Sequence, residues 1–478
     1  MIFLQNYING LLIAPQSGAY SPNINPATNQ VFSQIPSSDH RDVAAAVAAA
    51  QAAFGAWSES SIAFRSQVLQ KIADLILQNI DKLALAETTD NGKPLALSTS
   101  VDIPRAAENF SFFASAIRHF ASEAHPNPHS LNYTLRQPVG VAACISPWNL
   151  PLYLFSWKIA PALAAGNTVV AKPSELTPYT AFLLSEICIQ AGLPAGVLNI
   201  VHGTGMAVGA PLVAHPHVPL VSFTGGTATG KSIAQVAAPM FKKMSLELGG
   251  KNATIVFDDC DFEKTVSIAA QAAFSNQGQI CLCGSRILVQ KNIYDRFKAA
   301  LVAKVNQLVV GDPLHQGTQV GATVSEAHHQ KILGYIAEAK AQGGKILCGG
   351  VAVQPQTNPN GFFIAPTLIE NLSPSCSINQ QEIFGAVATL IPFETEAEAI
   401  QIANNTLYGL AASVFTENIR TAQRTSHALK TGIVWVNCWM VRDLRTPFGG
   451  TKQSGVGREG GYEALRFFTE PKNVCIAF

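Results

Sequence analysis

The chain has 478 residues, of which 48% are hydrophobic and 13% are charged, and its formal net charge is +1. A chain of this length exceeds a single hydrophobic core, which predicts two or more well-buried domains. The near-neutral charge excludes a general attraction to nucleic acid or to anionic lipid, so any partner has to be inferred from individual sites.

The cysteines and the apolar segments indicate where the protein works. The nine cysteines are odd in number, scattered and mostly set among apolar residues, which is typical of a reducing compartment. Cys281 and Cys283 lack the second pair, or the histidines, of a zinc site, so no metal is expected. The first residues do not form a signal peptide, and no apolar run reaches the roughly 18–20 residues that span a bilayer. We therefore expect a cytoplasmic protein with no membrane partner.

The predicted secondary structure changes along the chain from helices to alternating strands and helices. Residues 40–90 have helical periodicity, and a further helix is predicted from Asp102 to Ser122. From residue 131 short apolar strands alternate with helices, which predicts a parallel sheet with helices on both faces. A second series of strands and helices, including a helix over 262–274, follows LELGGK. The tail ends in a β-like stretch that, together with residues 131–137, is placed to pair between subunits.

A glycine loop after one of these strands has two interpretations. The sequence GGTATGKS at residues 225–232 satisfies the phosphate-loop pattern of nucleoside triphosphatases, and Asp258 and Asp259 after a later strand would supply magnesium ligands. A dinucleotide pyrophosphate is bound by the same features, namely small residues and the positive end of the following helix. The loop therefore predicts phosphate binding but does not identify the nucleotide. A third interpretation is that the glycines only turn the strand into the helix.

Three further windows contain the groups of an acyl-transfer site. Cys281 follows a turn out of the helix over 262–274, where its thiol is accessible and its N–H can face an attacked carbonyl oxygen. Glu247 ends a β-like stretch between two leucines, which should raise its pKa and suit a general base. Asn149 lies between two prolines, where its amide can donate to an oxyanion. The alternatives are an inert buried cysteine, an ion-paired glutamate and an asparagine that caps a helix.

Taken together, the motifs resemble the aldehyde dehydrogenase superfamily across nearly the whole length of the chain. The resemblance rests on motifs that occur in the family's order: PWNLP (147–151), KPSE (172–175), FTGG (223–226), LELGGKN (246–252), NQGQIC (276–281), EIFG (382–385), NNTLYGL (404–410) and PFGGTKQSGVGRE (447–459). It implies an α/β fold with a Rossmann-like NAD-binding domain (1–120 and 140–247), a catalytic α/β domain (248–445) and a small β oligomerisation element (121–139 and 446–478). A homodimer or homotetramer is expected.

The resemblance also implies the roles of individual residues. Cys281 is the nucleophile, Glu247 the general base, and Asn149 the oxyanion donor, while Lys158 and Glu459 support a water or proton path. The thiolate adds to an aldehyde, hydride leaves to NAD, and Glu247 activates the water that hydrolyses the resulting thioester. The expected cofactor-binding residues are Ser146, Trp148, Lys172, Ser174, Glu175, Gly205, Phe223, Thr224, Gly225, Gly226, Gly230, Leu248, Glu382 and Phe384.

Within that set Glu175 decides the choice of cofactor. Its carboxylate would accept from the adenosine ribose hydroxyls and repel a 2′-phosphate, so NAD is expected rather than NADP. Glu382 is similar to the residue that holds the nicotinamide ribose, and Phe384 is the ring beside it.

Arginines bear on the substrate. Arg442 and Arg445 precede the C-terminal motif, and Arg105 is on a helix that borders the same tunnel in similar proteins. Guanidinium groups facing the tunnel suit an aldehyde with a carboxylate at its far end. The alternative is that they are surface arginines paired with Asp102 or Asp443.

The most similar branch is that of the 2-aminomuconate and 2-hydroxymuconate semialdehyde dehydrogenases. The competing assignments are betaine aldehyde, a cation that the arginines would oppose, and general aliphatic aldehydes. More distant are a phosphate-loop ATPase and a non-catalytic member of the fold.

Overall fold

The computed structural model describes all 478 residues. Its helices are α1 (His40–Ser58), α2 (Ile62–Gln78), α3 (Ile80–Asn91), α4 (Leu95–Leu97), α5 (Ile103–Ala116), α6 (Pro151–Ala164), α7 (Tyr179–Ala191), α8 (Ala210–Ala214), α9 (Thr227–Ala237), α10 (Phe262–Phe274), α11 (Tyr294–Val305), α12 (Glu326–Ala341), α13 (Ser377–Gln380), α14 (Glu396–Asn404), α15 (Ile419–Ala428) and α16 (Gly461–Phe467).

The strands are shorter and more numerous. They are β1 (Ile2–Phe3), β2 (Asn6–Ile8), β3 (Leu11–Ile13), β4 (Tyr20–Asn25), β5 (Gln30–Pro36), β6 (Ala124–Asn127), β7 (Ser130–Pro138), β8 (Val141–Ile145), β9 (Thr168–Lys172), β10 (Leu198–Ile200), β11 (Leu220–Thr224), β12 (Lys243–Glu247), β13 (Ala253–Val256), β14 (Arg286–Gln290), β15 (Lys345–Cys348), β16 (Ala352–Val353), β17 (Phe363–Ile364), β18 (Thr367–Glu370), β19 (Val387–Phe393), β20 (Tyr408–Gly409), β21 (Ala411–Phe415), β22 (Ile433–Val436), β23 (Thr451–Lys452), β24 (Gly455–Val456) and β25 (Thr469–Ala477).

The first large sheet has eight strands in the order β24-β12-β11-β8-β9-β10-β2-β3. Strands β12, β11, β8, β9 and β10 are parallel, and the central ones are buried along their whole length. Helices α2, α5, α6 and α7 pack in the hydrophobic cluster on one face, and α1, α8 and α9 border a second cluster on the other. The predicted parallel sheet with two covered faces is confirmed, because runs of apolar residues without alternation require burial on both sides.

The second large sheet has seven strands in the order β15-β18-β19-β14-β13-β21-β22. All neighbours are parallel except β15, which is an antiparallel edge strand. Helices α10 and α11 cover one face, and α14 packs in the cluster on the other face. The predicted second α/β series and its helix over 262–274 are therefore present.

A small sheet of three strands, in the order β25-β7-β6, stands apart from both. The C-terminal strand β25 pairs antiparallel with β7 over nine residue pairs of the same chain. The two stretches noted in the sequence thus pair with each other, and their pairing between subunits stays a prediction. The division into three domains also stays a prediction. Strand β24, within the predicted oligomerisation element, lies at the edge of the eight-stranded sheet.

One predicted helix is shorter than expected. The helix expected over Asp102–Ser122 spans Ile103–Ala116, followed by one 3-10 turn, and the chain becomes extended at Phe120 before β6. It is preceded by a π turn at Ser98–Asp102, where the Asp102 carboxylate bonds the buried Lys93. The apolar periodicity continues past the end of the helix, because the spacing of apolar residues does not show where the backbone changes conformation.

A five-residue segment joins the two large sheets. Strand β12 ends at Glu247 in the first sheet, and β13 begins at Ala253 in the second. The carboxyl ends of the parallel strands of the first sheet therefore face the amino ends of the strands of the second sheet. Ligands bind outside the carboxyl ends of the strands in open α/β sheets, so the cleft between the two sheets is the expected binding site.

Candidate active site

Cys281 lies in a tight turn between α10 and β14, the Cys281 turn (residues 279–283). The chain enters it through three consecutive left-handed residues, 276–278, with φ of +51°, +58° and +70°. A Cβ at Gly278 would overlap the Gly385 carbonyl group, so only glycine fits there. The Cys281 side chain is partly exposed, facing a cleft with about 310 Å³ of free space, so the alternative of an inert buried thiol is not favoured.

Asn149 approaches this turn from the first sheet. Its Nδ2 donates to the Gln279 carbonyl oxygen at 2.9 Å, and the side chain is 2% exposed. The residue at the N-cap of α6 is Leu150, which makes no side-chain cap, so Asn149 does not cap that helix. The second amide hydrogen of Asn149 has no acceptor in the chain.

Side chains from outside the turn bind its carbonyl groups. Asn252 Nδ2 donates to the carbonyl oxygens of Cys281 at 2.7 Å and of Cys283 at 3.0 Å. Trp439 Nε1 donates to the Leu282 carbonyl oxygen between them at 2.9 Å. The Cys281 N–H, in contrast, donates to no acceptor in the chain. The turn is thus fixed through its acceptors, while the N–H groups of Ile280, Cys281 and Leu282 stay free.

Glu247 is buried without a partner. Its side chain ends β12, the residue is 3% exposed, and neither carboxyl oxygen makes a hydrogen bond. Gly449 gives it room, because a Cβ there would lie 2.6 Å from Glu247 Oε1. Burial, reinforced by the nearby Glu459 carboxylate, raises the pKa of Glu247 well above its usual value. The alternative of an ion-paired glutamate is therefore wrong.

The Cys281 thiol is also in an environment that disfavours its charged form. Burial raises the pKa of Cys281 well above the usual range, and the carboxylates of Glu382 and Glu247 add to this effect. Arg442 acts in the opposite direction. Glu247 and Arg442 therefore both act on the Cys281 thiol electrostatically.

Behind Glu247 lies a buried ion pair. Lys158 Nζ donates to Glu459 Oε1 at 2.6 Å and to Ser222 Oγ at 3.3 Å. The second carboxyl oxygen of Glu459 is buried and has no partner. Glu459 and Lys158 thus bond each other and both act on the pKa of Glu247, although neither makes a hydrogen bond with it.

The predicted pyrophosphate loop lies at the carboxyl end of β11. Helix α9 begins at Thr227 without a side-chain cap, so its first N–H groups point into the cleft. The hydroxyls of Thr224 and Thr227 are buried and have no hydrogen-bond partner. A Cβ at Gly230 would lie 2.5 Å from Leu248, so the glycine allows β12 and α9 to pack closely. Unsatisfied donors at a helix N-terminus fit a pyrophosphate.

The predicted adenosine side is organised by one ion pair. Lys172 Nζ donates to Glu175 Oε2 at 2.9 Å, and the Gly205 N–H donates to Glu175 Oε1 at 3.4 Å. Burial alone would raise the pKa of Glu175, but Lys172 and these hydrogen bonds hold it below its usual value. The carboxylate is therefore ionised at neutral pH. Ser146 and Ser174 lie in the adjoining loops and are nearly buried.

On the side of the second sheet, Glu382 and Phe384 face the Cys281 turn. Glu382 Oε1 accepts from the Gly250 N–H at 2.8 Å, and a Cβ at Gly249 would overlap its carboxylate. Phe384 has φ of +62°, and its ring meets that of Trp148 edge to face at 5.2 Å. The predicted cofactor residues thus come together from two sheets, with Phe223 and the loop glycines at 225 and 226 on the opposite side.

Two arginines meet at one tryptophan. The Arg105 guanidinium lies 5.4 Å and the Arg442 guanidinium 5.9 Å from the ring of Trp157, and Arg442 also stacks on Phe448 at 4.1 Å. Burial and the like charge of Arg442 lower the pKa of Arg105.

Neither arginine of this pair is neutralised by a close carboxylate. Arg105 Nη2 is buried without a partner, and its single ionic contact is 3.9 Å long, to the exposed Glu108. Arg442 makes no hydrogen bond or ion pair. Arg445 differs, because it is exposed and pairs with Asp443 at 2.6 Å, so the surface interpretation holds for Arg445 alone.

Comparisons with known proteins agree with this geometry. The model of the aldehyde dehydrogenase family matches residues 13–474. The chain is 47% identical to 2-aminomuconic semialdehyde dehydrogenase from Bos taurus, covering 100% of this chain and 98% of that protein. It is 44% identical to 2-hydroxymuconic semialdehyde dehydrogenase from Pseudomonas sp. (strain CF600), covering 99% of each.

The chain belongs to the aldehyde dehydrogenase family. Among solved structures, it superposes with a TM-score of 0.98 on the indole-3-acetaldehyde dehydrogenase of P. syringae in complex with NAD+ and IAA. The two are 40% identical, and the match covers 100% of this chain and 97% of that one. The α/β fold expected from the sequence is therefore that of the family.

The features that favoured a phosphate-loop ATPase separate in this member of the family. The glycine loop follows β11 of the first sheet, whereas Asp258 and Asp259 follow β13 of the second. Asp259 accepts from Thr416 and from the Asn418 N–H, and Asp258 accepts from Asn292. No group of three or more His, Cys, Asp or Glu side chains is arranged to hold a metal ion. The magnesium ligands required by that alternative are not beside the loop.

Two further observations concern the chain as a whole. None of its helices combines the length and the apolar character needed to cross a bilayer. All nine cysteines are free thiols.

Sequence reasoning missed several residues of this aldehyde dehydrogenase site. Asn252, Trp439 and His328 were not singled out, although His328 Nε2 donates to the Phe384 carbonyl oxygen at 2.7 Å. No sequence signal identifies a side chain that bonds a distant backbone carbonyl. Tyr153 and Trp157 were detectable, because aromatic residues four apart on a helix lie on one face, here the face that meets Arg105.

Proposed function

We propose that this chain oxidises a carboxylate-bearing aldehyde of the muconic semialdehyde class to the corresponding acid, with NAD as the electron acceptor. The observation that carries the proposal is the pair of guanidinium groups, Arg105 and Arg442, on the ring of Trp157, of which Arg442 acts on the pKa of the Cys281 thiol. The names of the relatives with 44% and 47% identity support the same substrate class.

The arginine pair argues for an anionic group on the substrate. The guanidinium groups of Arg105 and Arg442 both lie on the ring of Trp157, and Nη2 of Arg105 is buried without a partner. A carboxylate that binds between the two positive charges would stabilise both. Guanidinium groups present donors in a planar fork that matches a carboxylate. A cationic substrate such as betaine aldehyde would be repelled at the same place, and a neutral aliphatic aldehyde would leave the donors unsatisfied.

The first chemical step is the addition of the Cys281 sulfur to the aldehyde carbon. Burial keeps the free thiol protonated, so a base has to remove its proton. Two carboxylates act on the thiol, and Glu382 already accepts from the Gly250 N–H, whereas both oxygens of Glu247 are free. The new S–C bond turns the carbonyl oxygen into an oxyanion. The free Cys281 N–H and the unused amide hydrogen of Asn149 are the donors available to it, and each such donor lowers the barrier by about 2.7–4 kcal/mol.

The residues fit a bound dinucleotide. The uncapped start of α9 and the orphaned hydroxyls of Thr224 and Thr227 would hold the pyrophosphate, and the ionised Glu175 would hold the adenosine ribose. Glu382 and Phe384 would hold the nicotinamide end. When bound, NAD supplies the two-electron acceptor for the oxidation of the carbonyl carbon. Glu175 would repel a 2′-phosphate, which favours NAD over NADP.

The second half of the reaction releases the acid. Cys281 then carries the acyl group as a thioester, and Glu247 deprotonates the water that attacks it. A raised pKa suits this role, because it makes the carboxylate a stronger base than an ordinary glutamate. The Glu459 and Lys158 pair, which influences Glu247 from behind, is the route by which we propose that the proton leaves.

The exposed apolar residues and the free thiols suggest an assembly and a location. The three-stranded sheet β25-β7-β6 exposes Leu135, Ile476 and Phe478, which suits pairing with another copy as a homodimer or homotetramer. The same sheet would form the oligomerisation element of the predicted three-domain division. Nine free thiols suit a reducing compartment such as the cytoplasm.

The substrate assignment is tested with a pair of aldehydes, one carrying a carboxylate and one neutral. Losing a hydrogen bond to a charged group costs about 1.5–3 kcal/mol, so Arg442→Ala should raise KM for the semialdehyde roughly 10- to 150-fold. KM for the neutral aldehyde should stay within about threefold. The control is Arg445→Ala, which removes an exposed arginine three residues away that is already paired with Asp443. Equal losses on both aldehydes would mean that Arg442 is structural.

A further inference from the structure

Asn252 makes three hydrogen bonds that connect the Cys281 turn to the second sheet. Its Nδ2 donates to the Cys281 and Cys283 carbonyl oxygens at 2.7 and 3.0 Å, and its Oδ1 accepts from the Ala411 N–H at 3.0 Å. The side chain is 4% exposed. Both amide hydrogens and the amide oxygen are therefore committed, and the Ala411 bond determines which way the amide faces.

We propose that Asn252 is a positioning residue that orients the Cys281 sulfur and N–H for attack on the aldehyde. The proposal rests on Cys281 being the nucleophile. Because the two carbonyl groups that Asn252 binds are two residues apart, one amide fixes the Cys281–Leu282 and Cys283–Gly284 peptide planes. Fixing the carbonyl group of Cys281 limits the rotation of that residue, so its sulfur and its free N–H keep their direction toward the cleft.

The anchor itself is rigid. Asn252 is the last residue before β13, and Ala411 is the first residue of β21, which pairs with β13 in parallel register. Gly250 allows the close approach, because a Cβ there would lie 2.9 Å from the Cys281 carbonyl oxygen and 2.8 Å from Asn252 Oδ1. The Cys281 turn is thus held by hydrogen bonds to residues at the start of two paired strands rather than to a loop.

The same segment connects the anchor to the proposed base. Glu247 ends β12, and Asn252 follows it by five residues across the link between the two sheets. A short link of this kind keeps the base and the support of the nucleophile at a fixed separation. Since a misplacement of about 1 Å can reduce a reaction rate roughly 100-fold, such support has a measurable effect on turnover.

The experiment compares Asn252→Ala with Asn199→Ala. Asn199 is a matched control, because it is buried in the first sheet and also makes two donated bonds, to Val169 and Gly196, and one accepted bond, from the Asn9 N–H. The measurements are the melting temperature, the dissociation constant for NAD, KM for the aldehyde and the single-turnover rate of NADH formation with enzyme in excess.

We expect Asn252→Ala to lower the single-turnover rate roughly 100-fold relative to Asn199→Ala, with KM and NAD affinity within about threefold. A purely structural role would instead give the two variants equal rates at equal melting temperatures. A folded Asn252→Ala protein with a rate within threefold of the control would overturn the proposal. If Asn252→Ala does not fold, Asn252→Ser replaces it, since its single hydroxyl donor cannot serve both carbonyl groups, and the same limits apply.

A fourth variant, Cys281→Ser, separates this proposal from the one on which it depends. Full turnover of Cys281→Ser would remove the nucleophile assignment itself. Loss of turnover in Cys281→Ser together with a normal rate in Asn252→Ala would reject only the positioning role.

Discussion

The glycine loop after β11 and the Cys281 turn are both places where the chain leaves regular structure and where backbone N–H groups stay free, but only the turn has its carbonyl groups bound by side chains from elsewhere. The loop passes into α9 with uncapped N–H groups and with the Thr224 and Thr227 hydroxyls unpaired. The Cys281 turn has its carbonyl groups bound by Asn252 and Trp439, and the Cys281 N–H is among its free donors.

The difference follows from what each region is proposed to bind. A pyrophosphate carries several acceptor oxygens at fixed positions, so a cradle of several donors suits it. An oxyanion is a single atom that exists only during the reaction, so it needs a few donors held in place beforehand. Unpaired buried groups are costly, and their distribution is therefore a guide to the ligand.

The largest expected effect comes from removing the thiol. Cys281→Ala should reduce turnover by on the order of 10⁶-fold, as for the loss of other covalent nucleophiles. Calorimetry with NAD should give an unchanged dissociation constant, because the glycine loop is untouched. A variant that still turns over at the normal rate would contradict the proposed chemistry, and one that loses NAD binding would show that the two regions are not independent.

A smaller effect is expected from Glu247→Gln, which keeps the shape of the side chain and removes its basicity. General-base groups contribute roughly 10²- to 10⁴-fold, so kcat should fall within that range. The raised pKa of Glu247 means that the basic carboxylate form appears only as pH increases through that raised value. Activity of the unaltered protein should therefore rise with pH, and this rise should be absent in the variant. An identical pH profile would assign the base elsewhere.

The smallest effect is expected in the glycine loop. In Gly225→Ala the added Cβ overlaps the ring of Phe223, and overpacking of this kind costs about 1–3 kcal/mol. The dissociation constant for NAD should rise by roughly tenfold, whereas the turnover rate at saturating NAD should change less than threefold. A loss of rate that persists at saturating NAD would mean that the loop also supports the Cys281 turn.

Several residues of this site were predictable because each functional group lies in a short sequence motif of its own. The alternation of apolar strands and helices predicted both parallel sheets. The helix that precedes Cys281 was predicted over 262–274, and these are the bounds of α10. Asn149 and Glu247 were identifiable because Asn149 comes shortly after a buried strand and Glu247 is the last residue of another. The carboxyl ends of parallel strands lie together at one edge of the sheet. The helix after Asp102 was overestimated because periodicity does not register a helix end.

The sequence by itself determined the family, the two parallel sheets and the residue types available for covalent catalysis, since these depend on patterns within short windows. Tertiary structure decided which polar groups have partners. It left both carboxyl oxygens of Glu247 and Nη2 of Arg105 without a hydrogen-bond partner. It also paired Arg445 with Asp443 and bound Asn252 to the carbonyl groups of the Cys281 turn. The physical reason is that hydrogen bonding and desolvation depend on neighbours brought together from distant parts of the chain, and these neighbours set the pKa values and the free donors of the site.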